Sequence, residues 1–343
     1  MILDGFADAS ISACAVALQS SGLVAFPTET VYGLGADADN DVAVAKIFAL
    51  KGRPSNHPLI VHVADALHGG AGAAHFARDV PAYAEALMRA FWPGPLTLIL
   101  RRQAGVGSAA AGGQDSIGLR SPAHPVAQAL LHACRALGVL GLAAPSANRF
   151  GRVSPTTAAH VQDEFGVALR ILDGGACAVG IESTIIDCTR AAPVLLRPGA
   201  IGATQVQAAC GERLLAREEA EFDGSPAPRA SGTLEAHYAP TAKLRLMDAR
   251  ALQTALNVLG AEIEHKGPVI ATYARTLLRS PSAAVLCRRM PDDAASTAQQ
   301  LFAVLREVDA RGVKLIWVET PPPSREWDAI RDRLQRAAAA GLT

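Results

Sequence analysis

A stretch poor in large apolar residues runs from Ala220 to Lys243 and contains DGSPAPRASG. Proline removes a backbone donor and glycine costs backbone entropy, so such a run cannot hold a helix or a central strand and reads as an inter-domain linker. It divides the 343 residues into two segments, each of which must bury its own core. Single cores seldom grow past roughly 250–300 residues, so length also predicts two domains. The boundaries expected are 1–205 for the first domain, 206–241 for a linker or lid, and 242–343 for the second.

Before the linker, short apolar runs alternate irregularly with helical patterns. GLVAFPTET is a strand broken by Pro27. A helix from about Asp41 to Lys51, with Asn40 as N-cap, is stopped by Gly52 and Pro54. PLIVHV, LTLILR, SIGLR, VLGLAA, LRILD, STIIDC and VLLR follow as strands, with helices near Ser10–Ser21, Tyr83–Trp92, Val126–Leu137 and Thr156–Phe165. Some strands alternate with helices and others follow one another directly, which favours a twisted, open α/β sheet that is only partly parallel. Beyond the linker the order is regular: KLRLM, PVIATY, AVLCRRM and VKLIWVE are strands, with helices near Asp293–Arg311 and Arg325–Ala339. That is a smaller, Rossmann-like α/β domain.

Composition excludes several classes of function. Half of the residues are hydrophobic and 19% are charged, against extensive disorder. Lys plus Arg and Asp plus Glu both total 32, so there is no bulk basic excess for nucleic acid, although a local basic groove is compatible with that balance. The start lacks a signal peptide's basic and apolar regions, and no run approaches the roughly 18 apolar residues of a membrane helix, so a cytoplasmic protein is expected. The six cysteines form no CxxC pair and read as buried thiols. The nine histidines show no HExxH spacing, so no protein-held metal is expected. Neither GxGxxG nor GxxxxGK[ST] occurs.

Several motifs can carry chemistry, each with a plain alternative. Lys51-Gly52-Arg53-Pro54 places two cations where the glycine lets Arg53 swing round, a pair suited to a polyphosphate; cations at a helix C-terminus also simply complement the macrodipole. Pro145-Ser146-Ala147-Asn148 follows a strand, where α/β sheets bind ligands, but those residues also make turns. Pro27–Gly35 sets polar side chains and two glycines after an apolar strand, a ligand loop or a strand ending in a turn. His62 inside PLIVHV is a ligand or a hydrogen-bonded core group, and Arg120 clamps a carboxylate or pairs with an internal acid. Glu182-Ser183-Thr184, Arg197-Pro198-Gly199 and His237-Tyr238-Ala239-Pro240 complete the set, the last placed to close over a cleft or merely to anchor the linker.

In this order the motifs resemble the YrdC-like threonylcarbamoyl-adenylate synthase family. The likeness covers about Ser10–Gly202 through PTETVYGLG, KGRP, PLIVH, FWPGPLT, the Arg120 strand end, APSAN, ESTIID and LLRPGAI. HYAP and the downstream domain resemble the family's two-domain form. The resemblance implies an enzyme that makes threonylcarbamoyl-AMP and pyrophosphate from ATP, L-threonine and bicarbonate, with Mg²⁺ carried by the triphosphate. The product would serve threonylcarbamoyladenosine modification of tRNA and pass to downstream transferase proteins; direct tRNA binding is left open.

By the same resemblance Lys51 and Arg53 are catalytic and bind ATP together with Ser146, Asn148, Ser154 and Arg197, with Ser116 and Tyr238 as further contacts. Thr30, His62, Arg120 and Ser183 surround L-threonine, with the Ala144 backbone nearby. His57 is a further ATP contact by the same resemblance and a departure, standing where the family more often has asparagine; imidazole replaces an amide as donor or as acceptor, not as both. Two other readings stand beside this one: the carbamoyl-adenylate chemistry of hydrogenase-maturation proteins, and an RNA-binding module without catalysis.

Overall fold

Apolar runs along short strands need helices to cover them, and in the larger unit of the computed structural model helices cover both faces of the sheet, with Val44, Ile47 and Leu87 on one and Ile11, Leu18 and Leu130 on the other. The structure describes residues 1–64, 71–221, 227–259, 269–280, 282 and 284–341. Residues 222–226 of the expected linker and Pro268 of the expected strand PVIATY lie outside them. Two compact units result: Met1–Phe150 with Ser154–Thr233, and Gly151–Val153 with Leu234–Thr343.

The first unit's strands are β1 (Ile2–Asp4), β2 (Val24–Phe26), β3 (Gly33–Asp37), β4 (Ile60–His62), β5 (Ala77–Arg78), β6 (Leu96–Arg102), β7 (Ser116–Arg120), β8 (Leu142–Ala143), β9 (Arg170–Asp173), β10 (Thr184–Asp187), β11 (Val194–Arg197) and β12 (Leu215–Ala216). Among the described residues they form one mixed sheet in the order β1-β9-β2-β3-β8-β4-β7-β6-β10-β11-β12, with β5 beside β6. The stretch after residue 205 carries the rest of the helix Ala203–Cys210, then β12 and the short helix Arg217–Glu221.

Register in the centre of this sheet decides what can meet. β4 and β7 are parallel and end together, His62 opposite Arg120. β6 runs antiparallel to β7, so its beginning lies beside Arg120. β10 starts in parallel beside β6, Thr184 opposite Leu96, and β11 returns antiparallel so that Arg197 lies opposite Ile185. With a side-chain period of two, Val61, Leu98, Leu119 and Ile186 point to one face, into the main core with Val44, Ile47 and Leu87 of the covering helices. Ile60, Ile99 and Ile185 point to the other. His62, Thr97, Ser116, Gly118, Arg120 and Ser183 share the parity of that second face.

The second unit holds β13 (Lys243–Met247), β14 (Ile270–Ala274), β15 (Val285–Arg289) and β16 (Leu315–Glu319), all parallel in the order β13-β16-β14-β15. The chain steps outward from β13 to β14 and back from β15 to β16. Right-handed crossovers therefore put the helix Ala249–Leu259 on one face and Ala294–Ala310 on the other. Leu252, Leu256, Ile270 and Trp317 pack the first of these layers.

Leu119 is fully buried in the main core on the strand that also carries Arg120. Leu119→Ala is expected to destabilise the first unit by about 2–5 kcal/mol. Urea unfolding followed by tryptophan fluorescence checks this; a loss below about 1 kcal/mol contradicts the packing described.

Candidate functional site

Lys51 ends the helix Asp41–Lys51, whose first turn is capped by the Asn40 side chain accepting from the Ala43 N–H. Gly52 takes the left-handed conformation, φ 64°, with nothing within 4 Å of where a Cβ would lie. The chain turns sharply there and Lys51 points inward, 3% exposed. Its Nζ donates to the Ser146 carbonyl at 2.6 Å and to the Asn148 carbonyl. The Pro145–Asn148 turn is thus a carbonyl socket for a buried ammonium. Burial, then the charge of Arg53, push the Lys51 pKa well below the usual lysine value. Its hydrogen-bond acceptors among the described residues are backbone carbonyls, and the Glu164 carboxylate acts on it less than burial and Arg53 do, so an arriving anion still gains at this charge.

Arg53 leaves in another direction. Its Nη2 donates to the Pro58 carbonyl at 2.8 Å and to Ser231 Oγ at 3.1 Å, and its guanidinium lies over the Phe150 ring, 5.9 Å from the centroid. His57 meets the same ring edge-on at 5.5 Å; burial, then the charges of Arg53 and Arg229, lower its pKa. Arg197, at the end of β11 and 2% exposed, sends Nη1 to the Ser231 carbonyl at 2.9 Å. Its Nε and Nη2 donate to the Ser183 carbonyl, and Nη2 reaches Ser183 Oγ at 3.2 Å. Arg53 and Arg197 therefore converge on one residue, Ser231.

A second polar set lies where β4, β7, β6 and β10 meet. Arg120 is 4% exposed. Its Nη2 donates to Glu29 Oε1 at 2.6 Å, Nη1 to Thr30 Oγ1 at 2.8 Å and Nε to the Gly94 carbonyl at 3.2 Å. Glu29 Oε2 accepts from the Ala123 N–H at 2.9 Å. The Thr28 hydroxyl donates to the Val31 carbonyl, so the Thr30 hydroxyl donates to Thr28 Oγ1, 2.8 Å away, while accepting from Arg120. Of the two sequence readings of Arg120, the internal acid is present as Glu29. Three of the five guanidinium N–H groups are committed, and two are left to orient a carboxylate.

His62, opposite Arg120, is 3% exposed and edge-on to Phe26 at 6.0 Å. Burial, then the Arg120 charge, lower its pKa to about 3, so it is a neutral imidazole at any ordinary pH. Ser183 Oγ and Thr97 Oγ1 share a hydrogen bond of 2.7 Å. Because Ser183 also holds Arg197, it is the point where the two sets touch.

The remaining expected residues are placed less centrally. Ser154 Oγ donates to the buried carboxylate of Glu182, one residue before Ser183. The Ala144 N–H is taken by the Ile60 carbonyl at 2.8 Å. Ser116 opens β7 and lines a narrow cleft with Ile60, Gly118 and Ser231. Tyr238 belongs to the second unit, where it adopts φ 60°, stacks on Phe302 at 5.5 Å and lies under Arg333. Glu29, Thr97, Glu182 and Ser231 were given no role from sequence. Glu29, Thr97 and Glu182 stand inside singled-out motifs, Thr97 as the last residue of FWPGPLT, whereas Ser231 lies in a stretch read only as linker.

Among the described residues, no three His, Cys, Asp or Glu side chains are grouped to hold a metal, and no helix is long and apolar enough to cross a membrane.

Known proteins share this arrangement of domains. A family model described as "Telomere recombination" (Sua5, YciO and YrdC) matches residues 16–199, and one described as "Threonylcarbamoyl-AMP synthase, C-terminal domain" matches 201–339. The threonylcarbamoyl-AMP synthase of Pyrococcus abyssi is 36% identical over 94% of this chain and 92% of its own length. That of Bacillus subtilis is 38% identical over 96% and 93%, and that of Schizosaccharomyces pombe 35% over 92% and 85%. The crystal structure of P. abyssi Sua5 complexed with L-threonine superposes with a TM-score of 0.86 at 33% identity, covering 99% of this chain and 98% of that one.

The buried imidazole gives a test independent of turnover. Its folded pKa lies below the unfolded value near 6.5, so the unfolded chain takes up the proton first. Its contribution to stability is complete above about pH 6.5 and is lost, by up to about 1.4 kcal/mol per pH unit, as pH falls towards 3. Urea unfolding at several pH values should show a shallower pH dependence in His62→Gln than in the wild type; parallel profiles would mean that His62 is not held neutral.

Proposed function

Because the chain belongs to the threonylcarbamoyl-AMP synthase family, in its two-domain form, we propose that the first unit's polar sheet face joins L-threonine, bicarbonate and ATP into threonylcarbamoyl-AMP, releasing pyrophosphate. The observation that carries this reading is the junction at Ser183. An arginine set suited to a polyphosphate (Arg53, Arg197) and an arginine–hydroxyl–imidazole set suited to an amino acid (Arg120, Thr30, His62) adjoin through the Ser183 hydroxyl and its partner Thr97, which stands beside Arg120 in the sheet.

The chemistry asks for placement and charge, with no covalent intermediate on the protein. Threonine's amine and bicarbonate form a carbamate with loss of water. A carbamate oxygen attacks the α-phosphorus of ATP, and pyrophosphate leaves. In this reading Lys51, Arg53 and Arg197, with Ser116, Ser146, Asn148 and Ser154, hold the nucleotide, and His57 approaches it from the Phe150 side. Arg120 grips the threonine carboxylate with its two uncommitted N–H groups, while Thr30, His62, Ser183 and the Ala144 backbone frame the rest. A neutral His62 adds no second positive charge beside Arg120, which leaves room for the substrate's amine. ATP is taken as its magnesium complex; the donors here are cations and hydroxyls, which fits a Mg²⁺ held by phosphate oxygens and neutralising charge on them. The product is a mixed anhydride that water destroys, so a cytoplasmic transferase acting on tRNA is the reading for what consumes it.

Pyrophosphate release by the purified chain with Mg²⁺ tests this. Release is expected to need ATP, L-threonine and bicarbonate together. Lys51→Ala should lower kcat/KM by about 10²–10³, the usual cost of one lost electrostatic stabiliser. Arg120→Ala should raise the KM for threonine most strongly. Release indifferent to threonine would sink the proposal.

A further inference from the structure

On the polar sheet face, residues 229–231 cross from Gln114 to the two arginines, and what they touch has the order of a nucleotide: an edge that pairs, a flat surface, then cations. At one end, the Gln114 side-chain amide pairs in both directions with the Arg229 backbone. Oε1 accepts from the Arg229 N–H at 2.9 Å, and Nε2 donates to the Arg229 carbonyl at 3.3 Å. In the middle, Ala230 packs over Ile60 and Ile99. Between those two side chains the sheet carries Gly118, where a Cβ would come within 3.3 Å of Ile99 and 3.7 Å of Ile60. A glycine in mid-strand weakens the strand and often marks a place where a ligand comes close. Here it leaves a level apolar shelf. At the far end, Ser231 offers two oxygens to Arg53 and Arg197.

Resting on the ATP reading above, we propose that Gln114 is a specificity-determining residue that reads the adenine base. A primary amide presents one acceptor and one donor side by side, the complement of the adenine N6 amino group and ring N7. It forms that two-way pairing with a backbone peptide in this structure. The base lies on the Ile60–Gly118–Ile99 shelf, and the polyphosphate reaches Arg53 and Arg197 at the Ser231 end. Guanine presents O6 and N7, two acceptors, and leaves Oε1 facing a like charge. The Gln114 amide is already oriented for such pairing, since Nε2 also donates to the Ala111 carbonyl at 3.4 Å and the Gln114 carbonyl is held by Arg102 Nε at 2.9 Å. Residues 229–231 and the nucleotide use this face in turn.

The test is pyrophosphate release by the full chain with ATP, 7-deaza-ATP and GTP, for wild type, Gln114→Ala and Gln114→Glu. Wild type is expected to favour ATP over both analogues by about tenfold to a hundredfold in kcat/KM, the discrimination of one bidentate pair. In Gln114→Ala the loss should fall on the KM for ATP, and the three nucleotides should be used within a few-fold of one another. Gln114→Glu keeps the shape and one acceptor but turns an oxygen towards N7, so 7-deaza-ATP should be used at least as well as ATP. If either variant retains the wild-type preference, whatever its KM, Gln114 only anchors the Arg229 segment and the inference is wrong. If the wild type releases no pyrophosphate from ATP, the synthase reading falls first. A wild type that turns over all three nucleotides equally overturns the base-reading role alone.

Discussion

Side chains along a strand alternate between faces, and β4, β7, β6 and β10 use that constraint to serve two purposes at once. Val61, Leu98, Leu119 and Ile186 fasten the strands to the main core. The residues between them, His62, Thr97, Arg120 and Ser183, then stand on the opposite face at fixed separations. A slip of one residue in any of these strands would exchange the two sets, burying an arginine in the core and exposing leucine or valine. The core thus enforces the register, and the register assembles the polar set. This is why residues about 90 positions apart in sequence, Thr30 and Arg120, meet at 2.8 Å.

Lys51, Arg120 and Arg197 are buried cations of the first unit, and their different neutralisation separates their roles. Arg120 has a carboxylate, Glu29, at 2.6 Å. Removing one member of a buried pair leaves an unpaired charge costing about 3–5 kcal/mol, so Glu29 holds Arg120 in place as much as it neutralises it. Lys51 rests on the Ser146 and Asn148 carbonyls, and Arg197 on those of Ser183 and Ser231. Carbonyl dipoles orient a cation without cancelling its charge. A polyanion therefore gains more at Lys51, whose ammonium donates to carbonyls, than at Arg120, and a net-neutral amino acid fits beside Arg120 and Glu29.

Much of this was legible in the sequence because it depends on local rules. The helix Asp41–Lys51 was marked by Asn40 at one end and Gly52 at the other, and both caps are present. The strand Ser116–Arg120 and the mixed, partly parallel order of the larger sheet follow from run length and spacing. The family was legible through motif order, since each motif alone reads equally well as a turn or a cap. What sequence could not supply is partnership. VLGLAA shortens to Leu142–Ala143, and the turn that follows it supplies the Ser146 and Asn148 carbonyls that hold Lys51. Gly151–Val153 belongs to the second unit, where the Gly151 carbonyl accepts from the Ala239 N–H at 2.7 Å. Nothing in a tripeptide announces a partner almost 90 residues away. Ser231 is the sharpest case: in a run of Pro, Ala, Ser and Gly it looks like spacer, yet two arginines of the polar face meet on it.

A spacer that binds like a ligand changes the energetics of the face it covers. When residues 229–231 satisfy Gln114, Arg53 and Arg197, those groups are paired in the absence of nucleotide, so the open face does not leave polar atoms unpartnered against an apolar shelf. If a nucleotide uses this face as proposed, the same pairing must be broken before it enters. Apparent affinity is therefore the intrinsic affinity reduced by the fraction of molecules in which the segment has left. A chain that handles a carbamate and a mixed anhydride gains from that arrangement, because both are lost to water on an exposed face. The segment meets the face with neutral groups, the Arg229 peptide and the Ser231 carbonyl and hydroxyl, at 2.9–3.3 Å, whereas in the proposed exchange a triphosphate would bring charge to both arginines, and hydrogen bonds between two ions are the stronger ones.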